Sequence, residues 1–466
     1  MGCGHWALHL ADTMHDAMPP TMLPTPSALP PDDALRLALH DEVHARPSAQ
    51  IQLPAWITFI AVLNDGVTRE AECEHLRRLP GQPALPLADL QRNFLRLELG
   101  PHTVKWERHT EFTRYSIVQS LPVDAPLGAD WPQAPALPVV EADWLRQIPG
   151  RTIAAIELAL VEHDLADAPA VLARAQAWFG HDELVASRMG ASQAGGGHPA
   201  DGHSCAITDF RLRADGFERM LVVAAPGTSQ SRAGRISQRL LEIETYRLMA
   251  LRGLPVAKAL APMLAQAEAA LADITAQLES TQTAETDLLH TLIALAARVE
   301  RATAEQGYRF SATPAYDSLV RQRIAELREK AIPGTQTMGE FMQRRLSPAM
   351  ATVAATAQRL GSLSQRVERT SALLRTRVDI AAEAQNQQLL ARLTRGQAMQ
   401  LRLQSTVEGL SIAAISYYVV SLVLYAGKAA KAGGMGVNPE LLAGASVPLV
   451  LWAVWRATRR IHERLK

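Results

Sequence analysis

Short apolar runs separated by turn-forming residues fill residues 34–227 of the chain. Such runs, rich in Val, Ile, Phe, Trp and Tyr, are typical of β-strands. The predicted strands are 55–63, 93–99, 103–108, 112–119, 152–161, 204–213 and 217–224, and the predicted helices are 67–79 and 168–179. We therefore predict an α+β domain over residues 34–227, with mainly antiparallel strands.

Two of these segments, 103–119 and 206–223, have related patterns. Phe112-Thr-Arg114 leads into one apolar strand, and Phe217-Glu-Arg219 leads into the other. The match indicates either two similar halves, each with a hairpin, or a chance likeness of short sequences.

From residue 228 to 408 the pattern becomes helical, with apolar residues at steps of three and four. Later they recur every seven residues, and the positions are Leu346, Val353, Leu360, Val367 and Leu374, with Met350, Ala357 and Val378 as companions and polar interruptions at Ser364 and Ser371. The sequence Ile332-Pro333-Gly334 separates the two stretches. We predict a stalk of two long antiparallel helices, coiled-coil-like, whose second helix runs from 336 to 408.

Two uncharged apolar segments follow, at 410–426 and 441–455. About 17–25 apolar residues span a bilayer as a helix. With their flanking residues the two segments predict a transmembrane hairpin over 409–457, and buried core helices are the alternative.

Cations lie mainly outside this hairpin. The flanking cations are Arg392, Arg395, Arg402, Arg456, Arg459, Arg460, Arg464 and Lys466, whereas the loop carries Lys428 and Lys431. The positive-inside rule then places both termini in the cytoplasm, with 458–466 as a basic cytoplasmic tail. Residues 1–33 are proline-rich and interrupted by His and Asp, which predicts a disordered tail instead of a signal peptide.

Charge and cysteine content narrow the class of protein. Lys and Arg number 47, as do Asp and Glu, so the formal net charge is zero and gives no indication of nucleic-acid binding. The three cysteines form no Cys-x-x-Cys pair, which is typical of a reducing compartment.

A candidate polar cluster comes from two short segments of the predicted domain. Its members are Glu42, His44, Arg46, Glu107, His109 and Glu111. His40 and His44 are four residues apart, so on a helix they would lie on one face and bind a metal with a third ligand from elsewhere. Alternate strand positions would put Glu107, His109 and Glu111 on one face for acid–base chemistry. The alternatives are a polar helix end and a hairpin tip whose charges pair across strands, and the metal and any cofactor stay open.

Four charged residues near the start of the helical half are spaced for ion pairs along one helix. Arg239 and Glu242 are three residues apart, as are Glu244 and Arg247, and we predict a structural ion pair in each case. Catalytic nucleophile motifs such as Gly-x-Ser-x-Gly are absent from the sequence, so it does not indicate an enzyme.

Several stretches resemble a known bacterial family, domain of unknown function 3422. They are Glu42–Pro47, Trp106–Phe112, Thr208–Phe210, Ala214–Phe217, Gly234–Arg247, Leu254–Ala257, Tyr308–Thr313, Leu373–Val378, Gln400–Gln404, Thr406–Leu410 and Ala414–Tyr418. The resemblance covers nearly the whole chain from residue 34 and implies a membrane-anchored protein without an established activity. The family usually has Asn where Asp41 stands and nothing distinctive at His40, which weakens the two-histidine metal hypothesis.

Three functions fit this sequence. The first is a self-associating scaffold or sensor, in the inner membrane, whose partners are the lipid bilayer and further copies bound through the stalk. The second is an oligomeric ion channel or transporter, because magnesium channels share this architecture; their Gly-Met-Asn signature is broken here, at Gly434–Asn438, and Lys428 and Lys431 would repel a divalent cation. The third is a ligand-binding or hydrolytic α+β domain.

Overall fold

The computed structural model describes residues 33–36, 39, 50–100, 102–121, 140–190, 202–280, 285–436 and 438–464. The strands are β1 Ala55–Leu63, β2 Phe94–Leu99, β3 His102–Arg108, β4 Phe112–Ser120, β5 Arg151–Glu162, β6 Val185–Met189, β7 Ser204–Thr208, β8 Glu218–Ala224 and β9 Lys330–Ala331. The helices are α1 Arg69–Arg77, α2 Ala142–Arg146, α3 Ala168–Phe179, α4 Gln230–Leu251, α5 Gly253–Glu279, α6 Glu285–Leu327, α7 Met338–Arg345, α8 Ser347–Ala432 and α9 Pro439–Arg464, and a 3₁₀ helix covers Leu87–Arg92.

These strands form one mixed sheet in the order β2-β3-β4-β1-β5-β8-β7-β6-β9. Every pair of neighbours is antiparallel except β5 and β8, which are parallel. An α+β region followed by long helices is therefore the observed fold. The predicted strand 204–213 is shorter, because β7 ends at Thr208 and Phe210 adopts a left-handed backbone conformation.

Both expected hairpins are present, β3–β4 and β7–β8. Their relation to the preceding long strand differs, since β1 pairs with β4 antiparallel and β5 pairs with β8 parallel. Each half of the sheet thus contains a hairpin, but the strand directions differ between the two halves.

Alternation along the strands gives the sheet two apolar faces. On one face Ile57 and Phe59 of β1 pack with residues of α4, including Leu240 and Ile243. On the other face α1 and α2 cover the first half of the sheet and α3 covers the second half.

The chain divides into two compact units, Met1–Ala261 with Ala304–Gln358, and Pro262–Thr303 with Arg359–Lys466. In the second unit α5, α6 and α8 pack together: Arg359 on α8 binds Glu268 on α5 at 2.8 Å, and Arg298 on α6 donates to Gln266 on α5 at 3.5 Å. Three helices therefore pack together in this unit, whereas the sequence analysis predicted a stalk of two.

The predicted heptad series consists of Leu346, Val353, Leu360, Val367 and Leu374. All five side chains are buried, and so is Leu363. Leu363 takes the companion position, so the polar interruption at Ser364 falls beside the apolar seam. The helix predicted over 336–408 is divided at Leu346 into α7, which begins at a capping box of Thr337 and Glu340, and α8, which has Pro348 in its first turn. Proline fits the first turn of a helix, where its missing N–H costs no hydrogen bond.

Among the residues that the structure describes, three helical segments are long and apolar enough to cross a membrane by length and composition: Gln230–Glu279, Met338–Ala432 and Pro439–Arg460. The two segments predicted from sequence lie within the second and third of these. Near the loop between them Gly427 comes so close to Pro439 that an added Cβ would lie 3.2 Å from the Pro439 Cα. Membrane association of the chain is consistent with these helices.

Candidate functional site

The β3–β4 hairpin places three buried charges on the sheet face that α4 covers. Glu107 lies opposite Arg114, and Lys105 is two residues before Glu107 on the same face. The Glu107 carboxylate accepts from Arg114 Nη2 at 3.0 Å and from Lys105 Nζ at 3.2 Å through the same Oε2 atom. Their side chains are 3–10% exposed, so these charges are held out of water.

An ion-pair chain continues from this hairpin into the helices. Arg114 Nη1 reaches Glu242 Oε1 on α4 at 3.4 Å, and Glu242 also accepts from Arg323 on α6. Arg323 Nη1 then binds Glu326 Oε1 at 2.9 Å. The members alternate in sign, and in order they are Lys105, Glu107, Arg114, Glu242, Arg323, Glu326 and Arg239.

Burial and charge act in opposite directions on the pKa values of this chain. Burial would raise the pKa of Glu242, but Arg114 and Arg323 outweigh it and hold that pKa below its ordinary value. Burial lowers the pKa of Lys105, and Glu107 offsets only part of that effect. Neighbouring charges therefore compensate the burial of the Lys105 ammonium less well than they compensate the burial of the Glu242 carboxylate.

A pocket lies beside the lysine end, between the sheet and the first half of α4. Its lining consists of Gln50, Ile51, Ile57, Phe59, Phe94, Arg96, Thr103, Lys105, Glu107, Arg114, Ser116, Val118, Gly234, Ser237, Gln238 and Leu241. Apolar side chains and buried charges thus share one cavity, which is typical of sites that bind small molecules.

The predicted polar cluster divides into several environments. Glu42, His44 and Arg46 lie outside the described residues. Glu107 belongs to the ion-pair chain.

The other two members lie at the hairpin tip. His109 stacks on Phe112 with ring centroids 4.6 Å apart. Glu111 accepts from Arg309, and its second neighbour, Arg252, is 3.8 Å away. Within the described ranges no group of three or more His, Cys, Asp or Glu residues is placed to hold a metal ion.

Of the two ion pairs predicted along α4, the structure contains the pair of Glu244 and Arg247 but not the pair of Arg239 and Glu242. Arg247 Nε donates to Glu244 Oε2 at 2.8 Å, as the spacing suggests. Arg239 binds Glu326 at 3.0 Å in place of Glu242, because α6 brings a carboxylate closer than the same-helix partner.

A pair of buried carboxyl groups, separate from the ion-pair chain, lies between β8 and α4. The negative charge of Glu244 acts on Glu218, and Arg247 Nη2 is 3.7 Å from Glu218 Oε1. Burial, together with the negative charge of Glu244, raises the pKa of Glu218 to about 9. Glu218 therefore holds a proton at neutral pH.

The two described cysteines are poor nucleophiles. Burial raises the pKa of the Cys205 thiol to about 12 and also raises the pKa of Cys73. The thiolate is the reactive form, so neither residue is suited to attack a substrate at neutral pH.

Lys105 and Arg114 are the functional candidates that the sequence analysis missed, and Glu242 was predicted only as an ion-pair partner of Arg239. Lys105 alternates with the apolar residues Val104 and Trp106, and Arg114 follows the buried Phe112 and Thr113. Charges set in strands that are otherwise buried are the signal that could have found them.

Comparison with known proteins places the whole chain in one group. A family model described as "Protein of unknown function (DUF3422)" matches residues 31–465. No curated protein and no solved structure matches the chain.

Proposed function

The chain belongs to the DUF3422 family, whose function is unknown, and from its own geometry we propose a membrane-anchored protein that holds an α+β sensor or scaffold domain at the cytoplasmic face of the inner membrane. The anchor is the pair of apolar segments 410–426 and 441–455. The observation that carries the proposal is the exposure of their large apolar side chains.

These side chains find no apolar cover among the described residues. Those that are exposed are Leu410, Ile415, Tyr417, Tyr418, Leu422, Tyr425, Leu441, Leu442, Val447, Leu449, Leu451, Trp452 and Trp455. An apolar surface of this extent is unfavourable in water and favourable in lipid. A bilayer is the solvent that suits it.

The third apolar segment, Gln230–Glu279, has another role. Its most apolar part lies at the junction of α4 and α5, where Met249, Ala250, Ala257 and Leu264 are buried within the protein. A helix whose apolar face already belongs to a protein core cannot also present that face to lipid, so we assign two spans and not three.

Aromatic and cationic side chains lie together at both ends of the proposed hairpin. Arg456 stands over the Trp452 ring at 5.2 Å, and Lys428 stands over the Tyr425 ring at 5.9 Å. Such residues favour the lipid–water interface. The eight flanking cations, against two in the loop, support a cytoplasmic location for both termini.

Cysteine labelling tests this topology. In a background with Cys3→Ser, Lys431→Cys reports on the loop and Arg460→Cys reports on the C-terminal tail, since both positions are exposed. A membrane-impermeant maleimide added to intact cells should label Lys431→Cys alone, and both variants after permeabilisation. Labelling of Arg460→Cys in intact cells would contradict the proposed orientation.

We also propose that copies of the chain associate through residues 379–409 of α8. The heptad residues up to Leu374 are buried within the chain and are not free to bind a second copy. Beyond them Leu389, Leu393, Leu403 and Val407 lie on one helical face and are exposed. Two anchored copies would cover this face for each other.

Disulfide cross-linking tests the association. Leu393→Cys lies on the apolar face, and Ala398→Cys, on the opposite face, is its matched control. Dimers should form much more readily with Leu393→Cys. Equal cross-linking of the two variants would contradict the face assignment.

The channel hypothesis stays a prediction. Lys428 and Lys431 line the loop pocket together with Glu440. This excess of cations does not favour a divalent ion, so we do not propose conduction.

A further inference from the structure

The pocket at the end of the ion-pair chain has one polar and one apolar wall. The polar wall is formed by Lys105, Glu107 and Arg114. The apolar wall includes Ile57, Phe59, Val118 and Leu241. A ligand that fits both walls must carry a charge at one end and a short hydrocarbon at the other.

Positive charge is in excess on the polar wall. Lys105 and Arg114 share a single carboxylate oxygen, Glu107 Oε2. Arg114 Nη1 reaches Glu242 only at 3.4 Å, and among the described residues its buried Nε has no hydrogen-bond acceptor. A buried donor without an acceptor is destabilising, so an added anion that accepts from it would be stabilising.

The size of the cavity limits the ligand. Its volume is about 50 Å³. One water-sized group needs roughly 10–15 Å³ on this measure, so the cavity holds a few such groups. A nucleotide or a long acyl chain does not fit inside it.

We propose that this pocket binds a short-chain aliphatic monocarboxylate, whose carboxylate contacts Lys105 and Arg114 while its hydrocarbon packs on Ile57, Phe59 and Val118. The proposal deepens the sensor function proposed above by naming the class of ligand. Glu107 in the same wall disfavours a dianion such as phosphate, because it would repel a second negative charge.

Binding of propionate to the full chain in lipid nanodiscs tests the proposal. Isothermal titration calorimetry should show saturable binding with one site per chain. Propionamide, which has the same shape without the charge, should bind at least tenfold more weakly. No detectable propionate binding to the folded chain, or equal binding of propionamide, would overturn the proposal.

Two variants locate the site. Lys105→Met removes the ammonium but keeps the length of the side chain, and should weaken propionate binding at least tenfold. Lys258→Met removes an exposed lysine from α5 and should leave binding unchanged. Equal affinities for Lys105→Met and the wild type, with both chains folded by circular dichroism, would place propionate elsewhere and refute the assignment.

Two independent measurements separate this proposal from the anchoring proposal. The cysteine-labelling experiment reports on the membrane topology whether or not propionate binds. A correct topology without binding refutes only the ligand, and binding with a different topology refutes only the orientation.

Discussion

Replacing Glu218 by Gln should change how the stability of the protein depends on pH. Glu218 holds a proton in the folded protein because burial and Glu244 raise its pKa to about 9. In the unfolded chain the carboxyl returns to its ordinary value of 4.5. Between these two values the folded state binds one proton more than the unfolded state, so this group makes the protein less stable as the pH rises.

The magnitude follows from that one proton. Linkage gives a loss of about 1.4 kcal/mol in the free energy of unfolding for each pH unit. From pH 5.5 to 7.5 the loss from this carboxyl is therefore about 2–3 kcal/mol. Glutamine keeps the size and the hydrogen-bonding groups of the protonated acid but does not titrate, so Glu218→Gln should lack this contribution.

Guanidinium denaturation of the full chain in a non-ionic detergent measures the effect. Trp56, Trp106, Trp144 and Trp178 are buried around the sheet and report its unfolding by fluorescence. The stability of Glu218→Gln relative to the wild type should increase steadily from pH 5.5 to 7.5. Glu305→Gln, which changes an exposed carboxyl on α6, is the matched control and should show no such trend. A constant difference between Glu218→Gln and the wild type would refute the reasoning, because it would mean that Glu218 is already ionised in the folded protein.

Three further substitutions test the packing, each by denaturation of the full chain. Glu242→Leu leaves Arg114 and Arg323 without their shared carboxylate and should cost about 3–5 kcal/mol, whereas Glu326→Gln, at a more exposed link, should cost about 1 kcal/mol or less. Leu363→Ala should cost about 2–5 kcal/mol because Leu363 is buried in the α8 seam, and Ser364→Ala should stay within about 0.5 kcal/mol. Gly427→Leu should cost about 1–3 kcal/mol through overlap with Pro439, while Gly409→Leu, where nothing lies within 4 Å of an added Cβ, should have little effect. Equal costs within either of the last two pairs would contradict the packing described for that site.

Elements with a strong local pattern could be predicted from the sequence. The run Ala55–Leu63 and the hairpin strands around Trp106 and Tyr115 contain residues that favour strands wherever they occur. By contrast, β9 has only two residues and exists because Lys330 and Ala331 pair with β6. Because β9 is so short and its partner is far away in the sequence, no local sequence pattern predicts it.

The candidate site likewise depends on contacts between residues that are far apart in the sequence. Glu107 was identified because it stands among other charges in a short segment. Its partners Lys105 and Arg114 read as ordinary strand residues, and their burial depends on α4, more than a hundred positions later. Arg239 likewise has a suitable partner on its own helix, and only the position of α6 decides that Glu326 is the nearer one.

The sheet's unit is built from two stretches of chain, and this has a consequence for protein synthesis. Its core contains Val320, Leu327, Met342 and Leu346, which follow the excursion through Pro262–Thr303. A ribosome that has made only the strands β1–β8 has not yet made the residues that complete one face of the sheet. Nascent domains fold as units once their parts have emerged. The sheet should therefore stay sensitive to proteases and dependent on chaperones until about residue 358 has left the ribosome, and a gene truncated at residue 227 should yield an aggregating fragment.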